Sequence, residues 1–443
     1  MTMPFPSSPS LLPASHTHIL YLILALWLSP VVAGMESTFR HHIWRHGIHS
    51  RPQKRTLPLP VDIVDLLLDT LHHDGKVLTL CSLVSRVWLL RTRPRMFSQG
   101  VVINRTKMAR LLILLKSPYC TLRPHLQKMT IDPMRDNELW LDSFFTLIAA
   151  KGISLRHLTV PNLPALRTDS SCLSMPCIVP LISLHITVSP DHGVLETMDF
   201  IYLFSNSLEN LAIRGHSATV PRPIFMGIAG RHQTFPRLQN LDIDGVQSLL
   251  QYIDWFSQFV VLSSLSSLYL GLDYCGSPLY DKNEISRRIN IFLNRACPNV
   301  ESLFLDYGWA SPVSEGVNLS ELYRLRALKI NWTGGSPGDV FRAIDIIRTA
   351  RASSLATVHV SNFDFGRPRK MVEKSTSAWS SLDDLLSTRR PPTFPLLRNV
   401  KVSPSRLLVY FPQSRQHGLL CDTGATDSPV RKFIWDNYIR LEY

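Results

Sequence analysis

The sequence predicts an α/β protein: a small all-α unit, then an α/β solenoid with a parallel sheet on its concave face. Two observations predict it. Ten copies of one six-residue pattern recur, each an apolar residue, two others, an apolar residue, one other, and an apolar residue. Several of the gaps between copies carry the 3.6-residue apolar period of a helix. Ahead of the copies, residues 57–97 hold two short apolar series at helical spacing, separated by a polar break. The composition, 45% hydrophobic and 9% aromatic over 443 residues, is that of a globular chain able to bury a large core.

Residues 1–34 form an apolar leader. Within it, 19–33 (ILYLILALWLSPVVA) is an apolar run followed by small residues, the shape of a signal-peptide core and cleavage site. The leader holds no Lys or Arg, whereas Arg40, Arg45, Arg51, Lys54 and Arg55 follow it. That asymmetry keeps the downstream side cytosolic, and the run is short for a membrane span. A translation start at Met35 is a further reading. The expectation is a cytoplasmic or nuclear protein, with segment 19–33 leaving secretory or membrane targeting open. On a secretory route Asn104, Asn318 and Asn331, each in an Asn-x-Ser/Thr triplet, would be glycosylation candidates.

Seven cysteines, odd in number and scattered without a C-x-x-C pair, fit buried reduced thiols rather than a disulfide framework or a metal site. Residues 35–55 read as a basic linker. Its histidines at 41, 42, 46 and 49 lack cysteine or carboxylate support, so no metal and no cofactor are expected. The formal charge of +13 gathers in the linker and at Arg86, Arg91, Arg93 and Arg95, without the interleaved aromatics of an RNA-binding surface. A solvated basic surface and no nucleic-acid partner are expected.

Residues 56–98 are the all-α unit. Leu57-Pro58 opens it, because proline holds the φ of a first helical turn. Ile63, Leu67, Leu68 and Leu71 then follow at helical spacing. After a break at 72–76 come Leu78, Cys81, Val84, Val87 and Trp88. The segment resembles an F-box, especially those of the large fungal family. Leu57-Pro58, the Ile63/Leu67/Leu71 stripe, the run from Cys81 to Arg86, Trp88 and Phe97 carry the likeness; Asp62 stands where glutamate is frequent. The resemblance implies docking on a Skp-type adaptor, and through it a cullin, by Leu57, Pro58, Ile63, Leu67, Leu71, Leu78, Val84 and Trp88. Some of these must be core. Leu57 and Pro58 are the better interface positions, and Trp88 is at least as good a core residue.

Residues 99–405 hold the ten copies, which start at 126, 155, 181, 208, 238, 265, 300, 325, 355 and 397. Most intervals are 25 to 30 residues, with longer ones before 300 and 397. Helices are expected at 138–150, 195–204, 246–260, 284–296 and 339–350. Units this small cannot bury their own apolar faces and must stack. The pattern resembles irregular leucine-rich repeats. It departs from them where an asparagine usually follows the strand: Leu163, Ser189 and His216 stand there in successive copies. Strand alternation turns the residues between the last apolar pair outward. In that row Asp242, Tyr269, Phe304 and Lys329 would be neighbours, an aromatic pair rimmed by opposite charges and a candidate target-binding hot spot.

Residues 406–443 are a tail or a cap; Lys432 to Tyr438 is apolar enough to cover a last repeat. Asp422-Thr423-Gly424 resembles the turn of an aspartic protease, but too little chain follows to build a lobe around it. No phosphate loop, nucleophile elbow or H-E-x-x-H motif is present. The chain is therefore expected not to be an enzyme. An F-box followed by repeats implies the substrate receptor of a Skp–cullin–F-box ubiquitin ligase, with an unknown protein as target. The alternatives are a repeat scaffold with a degenerate F-box and no ligase role, or a membrane-tethered or secreted recognition protein. Membrane contact follows only if the leader is an anchor.

Overall fold

A computed structural model of the chain describes residues 59–71, 74–98, 100–117, 120–131, 139–163, 180–188, 194–215, 233–244, 249–272, 282–307, 316–332, 337–351, 353–362, 376–388, 394–403 and 405–420. The leader, the basic linker and the Asp-Thr-Gly turn lie outside them. The chain divides into two compact units, residues 1–99 and 100–443.

Among the described residues the first unit has three helices: α1 (Val61–Thr70), α2 (Gly75–Ser82) and α3 (Arg86–Ser98). Val64 and Leu68, four apart on α1, share one face and are buried with Leu78, Cys81 and Trp88. The polar break expected between the apolar series is a helix cap: the Asp74 carboxylate accepts from the backbone N–H groups of Lys76 (2.9 Å) and Val77 (3.1 Å). Ser85 does the same for α3, its hydroxyl accepting from the Trp88 N–H at 3.3 Å. Pro94 lies inside α3 and supplies no N–H to the preceding turn. Beside it the buried Thr92 hydroxyl donates to the Trp88 carbonyl (2.6 Å), and Arg95 donates to that of Arg91 (2.9 Å). Arg91 pairs with Asp65 at 3.0 Å, and Arg95 with Asp65 at 3.2 Å and Asp69 at 2.7 Å, tying α3 to α1. Arg91 and Asp69 are half exposed or more, so water screens those contacts to at most about 1 kcal/mol each.

The second unit is α/β. Its elements are β1 (Val101–Ile103), α4 (Arg105–Lys116), β2 (Lys128–Ile131), α5 (Leu139–Ala150), β3 (His157–Leu163), β4 (Ser183–Val188), α6 (Val194–Tyr202), β5 (Asn210–Gly215), β6 (Gln233–Thr234), β7 (Asn240–Asp244), α7 (Leu249–Phe259), β8 (Val260–Val261) and β9 (Ser267–Gly271). Then follow α8 (Lys282–Ala296), β10 (Ser302–Tyr307), β11 (Ala327–Trp332), α9 (Pro337–Thr349), β12 (Thr357–Asn362), α10 (Thr376–Ser387), β13 (Asn399–Ser403) and α11 (Pro412–Gln416). Eleven strands form one sheet in the order β1-β2-β3-β4-β5-β7-β9-β10-β11-β12-β13, with every described pairing parallel. All ten copies of the repeated pattern are strands of this sheet. β1 is an eleventh, too short to show the pattern, and α10 is a helix that sequence periodicity missed.

The repeat is built from three kinds of position. The first apolar residue of each copy, from Leu126 to Leu355, is at most 1% exposed. The second residue acts through its backbone. The Gln127 carbonyl accepts from the N–H groups of both Arg156 and His157, the Arg156 carbonyl from Ile182 and Ser183, and so on strand by strand to Ala356, which takes Arg398 and Asn399. The fourth and sixth residues point to the core: Leu241 and Ile243, Leu268 and Leu270, Leu303 and Leu305, Leu328 and Ile330 are all at most 1% exposed. Three residues ahead of several copies another apolar side chain is buried and its carbonyl closes a turn onto the copy's first N–H. Phe235, Leu262, Cys297, Leu322 and Phe394 serve Leu238, Leu265, Val300, Leu325 and Leu397 in this way.

At the far edge, the Val400 N–H of β13 donates to the Leu419 carbonyl at 2.7 Å, and Leu420 makes a parallel bridge with Val400. The buried Asp383 carboxylate of α10 accepts from the N–H groups of Gln413 (2.8 Å) and Ser414 (2.9 Å), capping α11. Residues 405–420 thus close onto the last strand and helix. Among the described residues no helix is long and apolar enough to cross a membrane.

Candidate functional site: an apolar helix surface and a polar sheet face

The first unit does not bury all its apolar side chains. Of the residues the F-box resemblance marks, Leu57 and Pro58 lie outside the described residues, and α1 begins at Val61 with Pro60 ahead of it. Leu78 and Trp88 belong to the core, and Leu67, Leu71 and Val84 pack half-buried against it. Ile63 is 42% exposed. Its exposed companions, which sequence reasoning did not assign to the adaptor surface, are Val61, Leu66, Leu80, Leu83, Val87 and Leu90, of which Leu66 and Leu83 are the barest at 64% and 66%. The signal was legible in Leu66-Leu67-Leu68. Three consecutive leucines on a helix span too wide an arc to face one small core. Exposed leucines and valines at this density, beside five buried core residues, mark a surface made to be covered.

The second unit presents a polar row. Register pairs Asp242 with Tyr269, Tyr269 with Phe304, and Phe304 with Lys329, so the four residues expected to be neighbours are neighbours. The structure also buries three of them: Asp242, Tyr269 and Phe304 are 2%, 6% and 4% exposed. Their groups are turned on one another. The Tyr269 and Phe304 rings meet edge to face at 4.6 Å, and the Lys329 ammonium sits 4.5 Å above the Phe304 ring.

A second row, two residues further along each strand, was missed. The Tyr269 hydroxyl donates to Asp306 Oδ2 (2.9 Å), Asn331 Nδ2 donates to Asp306 Oδ1 (2.6 Å), and the Ser361 hydroxyl donates to Asn331 Oδ1 (3.0 Å). This chain of bonds crosses four strands. Asp244 lies beside it above Gly271, where a Cβ would stand 2.0 Å from Asp244 Oδ1, so only glycine admits that carboxylate. Burial, with Asp244, Asp306 and Asp242 nearby, pushes the Tyr269 phenol well above its ordinary pKa and keeps it a donor. Asn331 is 3% exposed with both amide atoms engaged, so the folded position has no room for a glycan.

Towards β4 the charges change. Arg214 approaches Asp242 at 3.9 Å, and burial followed by the nearby Arg214 lowers His185 to about 3. That imidazole is neutral at physiological pH. Cys81 and Cys297 are free, buried thiols whose pKa burial raises, and Cys120 is free and half-buried. Among the described residues no group of three His, Cys, Asp or Glu is placed to hold a metal. Neither models of known protein families nor the curated proteins yield a match to the sequence.

Proposed function

We propose that the chain is the substrate-recognition subunit of a Skp–cullin–F-box ubiquitin ligase, a receptor that does no chemistry itself. The three-helix unit docks the Skp-type adaptor, and the sheet unit holds a target protein. The receptor raises the target's effective concentration near the ubiquitin-loaded enzyme. The observation that carries this reading is the run of exposed apolar side chains on α1 to α3, beside five buried core residues among those described. Burying one leucine or valine against a partner is worth about 1.5–3 kcal/mol, and a unit this small gains from being covered.

The test is capture of the full chain by a Skp-type adaptor from the same organism, beside an Ile63→Asp/Leu66→Asp variant. Both positions are exposed, so the variant keeps its core, and circular dichroism checks this. Loss of two buried apolar contacts costs about 3–6 kcal/mol, at least about a hundredfold in affinity. Equal capture of both proteins, or no capture of folded wild type, would overturn the reading.

A further inference from the structure

α4 buries one side and leaves a mixed stripe on the other. Met108, Leu111 and Leu115, at helical spacing, are buried. The opposite side carries Lys107, Arg110 and Lys116, all exposed, around Ile113 and Leu114, which are 70% and 51% exposed. Arg110 stands one turn before both apolar residues, Lys107 one turn before Arg110, and Lys116 one turn after Ile113. The five therefore form one continuous stripe about 14 Å long. The helix, RTKMARLLILLK, contains no carboxylate. Among the described residues no carboxylate pairs with the three exposed cations. Both ends of α4 are fixed. The Asn104 side-chain oxygen accepts from the Lys107 N–H at 3.0 Å, and Arg123 Nη2 donates to the Leu115 (3.0 Å) and Ser117 (2.8 Å) carbonyls. The stripe is thus preorganised. α4 follows β1, the first strand in the sheet order, at the end opposite the one that residues 405–420 close.

We propose that this stripe docks an acidic amphipathic helix of a partner protein. The partner's apolar side chains cover Ile113 and Leu114, and its carboxylates meet Lys107, Arg110 and Lys116. The stripe belongs to the second unit, and the proposal does not rest on the ligase reading. Charge complementarity and the shape of the patch select the occupant. A second copy of the chain would bring the same three cations against themselves. A nucleic acid would pair with the cations but give the two aliphatic side chains nothing to pack on. An anionic membrane is flat and would lie across the neighbouring helix as well. That neighbour, α5, contains no Lys or Arg, and its exposed described positions are Thr146 and Ala150. A stripe one helix wide and about three turns long matches another helix.

The experiment measures anisotropy of a short fluorescein-labelled helical peptide, leucines along one stripe and glutamates on both flanks, with the full chain. A scrambled peptide of the same composition, phosphatidylserine vesicles and a charge-matched oligothymidylate are run beside it. Wild type binds the amphipathic peptide, more weakly as salt rises, and prefers it to the scrambled one. Lys107→Glu/Arg110→Glu weakens binding by about tenfold or more. Ile113→Gln/Leu114→Gln, which keeps the charge and the helix propensity, also weakens it by about tenfold or more. All four positions are exposed, so circular dichroism and the thermal midpoint of both variants match wild type. Arg295→Glu/Arg324→Glu, an equal charge change at exposed positions elsewhere in the second unit, stays within about twofold. No peptide binding, equal binding of the scrambled peptide, unchanged affinity in either α4 variant, equal losses in the control, or tighter binding of the vesicles or the oligonucleotide each overturn the proposal.

Discussion

At the scale of single residues, His185 turns burial into a pH dependence. Its pKa is lowered to about 3 in the folded chain, against about 6.5 when exposed. The folded state therefore holds fewer protons than the unfolded state between those values. Stability from this group is full above about pH 6.5 and is lost progressively as pH falls towards 3. Replacing His185 by Gln removes that loss. Urea denaturation of both proteins should show the variant gaining roughly 1–2 kcal/mol on wild type between pH 7 and pH 5; a difference that does not change with pH counts against the assignment. Alternation along the strands was enough to place Asp242, Tyr269, Phe304 and Lys329 in one row. The burial of Asp242, Tyr269 and Phe304 was not legible, and the bond from the Tyr269 hydroxyl to Asp306 involves a second row that a six-residue pattern leaves out.

At the scale of elements, the joint between α10 and α11 concentrates several interactions on one side chain. Asp383 is 1% exposed, and its two oxygens accept one backbone N–H each from α11. Substituting Ala strands both donors, a cost of about 2–4 kcal/mol. Hydrogen exchange should register it as faster exchange across residues 405–420, with α1 to α3 unchanged; unchanged protection at Gln413 and Ser414 would refute the capping role. α10 itself escaped sequence reading because Trp379, Leu382 and Leu386 are spaced by serines and aspartates within an unusually long interval. α8, by contrast, was legible: Ile285, Ile289, Phe292 and Leu293 are all buried at regular helical spacing. In the first unit periodicity pointed to two short helices, whereas the second apolar series is divided between α2 and α3, and exposure divided the marked residues into core (Leu78, Trp88) and surface (Ile63).

At the scale of the whole molecule, the sheet unit derives its order from neighbours stacked in sequence, so its stability is distributed along the strand order. β1 has three residues and one described neighbour, whereas β7 and β9 are paired on both sides. Amides of β1 should exchange fastest in the sheet and those of β7 and β9 slowest. Uniform rates would mean that the eleven strands open as one. The parallel sheet was legible because copies of a strand at similar spacing have few other ways to bury their leucines. The shared carbonyl at each strand start has a further consequence. Gln127, Arg156, Ile182, Glu209 and their successors join adjacent strands chiefly through main-chain atoms, with the Ser266 hydroxyl adding a bond to the Gln239 carbonyl (3.2 Å), so those positions place little demand on side-chain identity. A whole unit could be duplicated or deleted between two such carbonyls with its new neighbours meeting in register, so a sheet built this way can change its length, and with it the width of its face, without redesigning its joints.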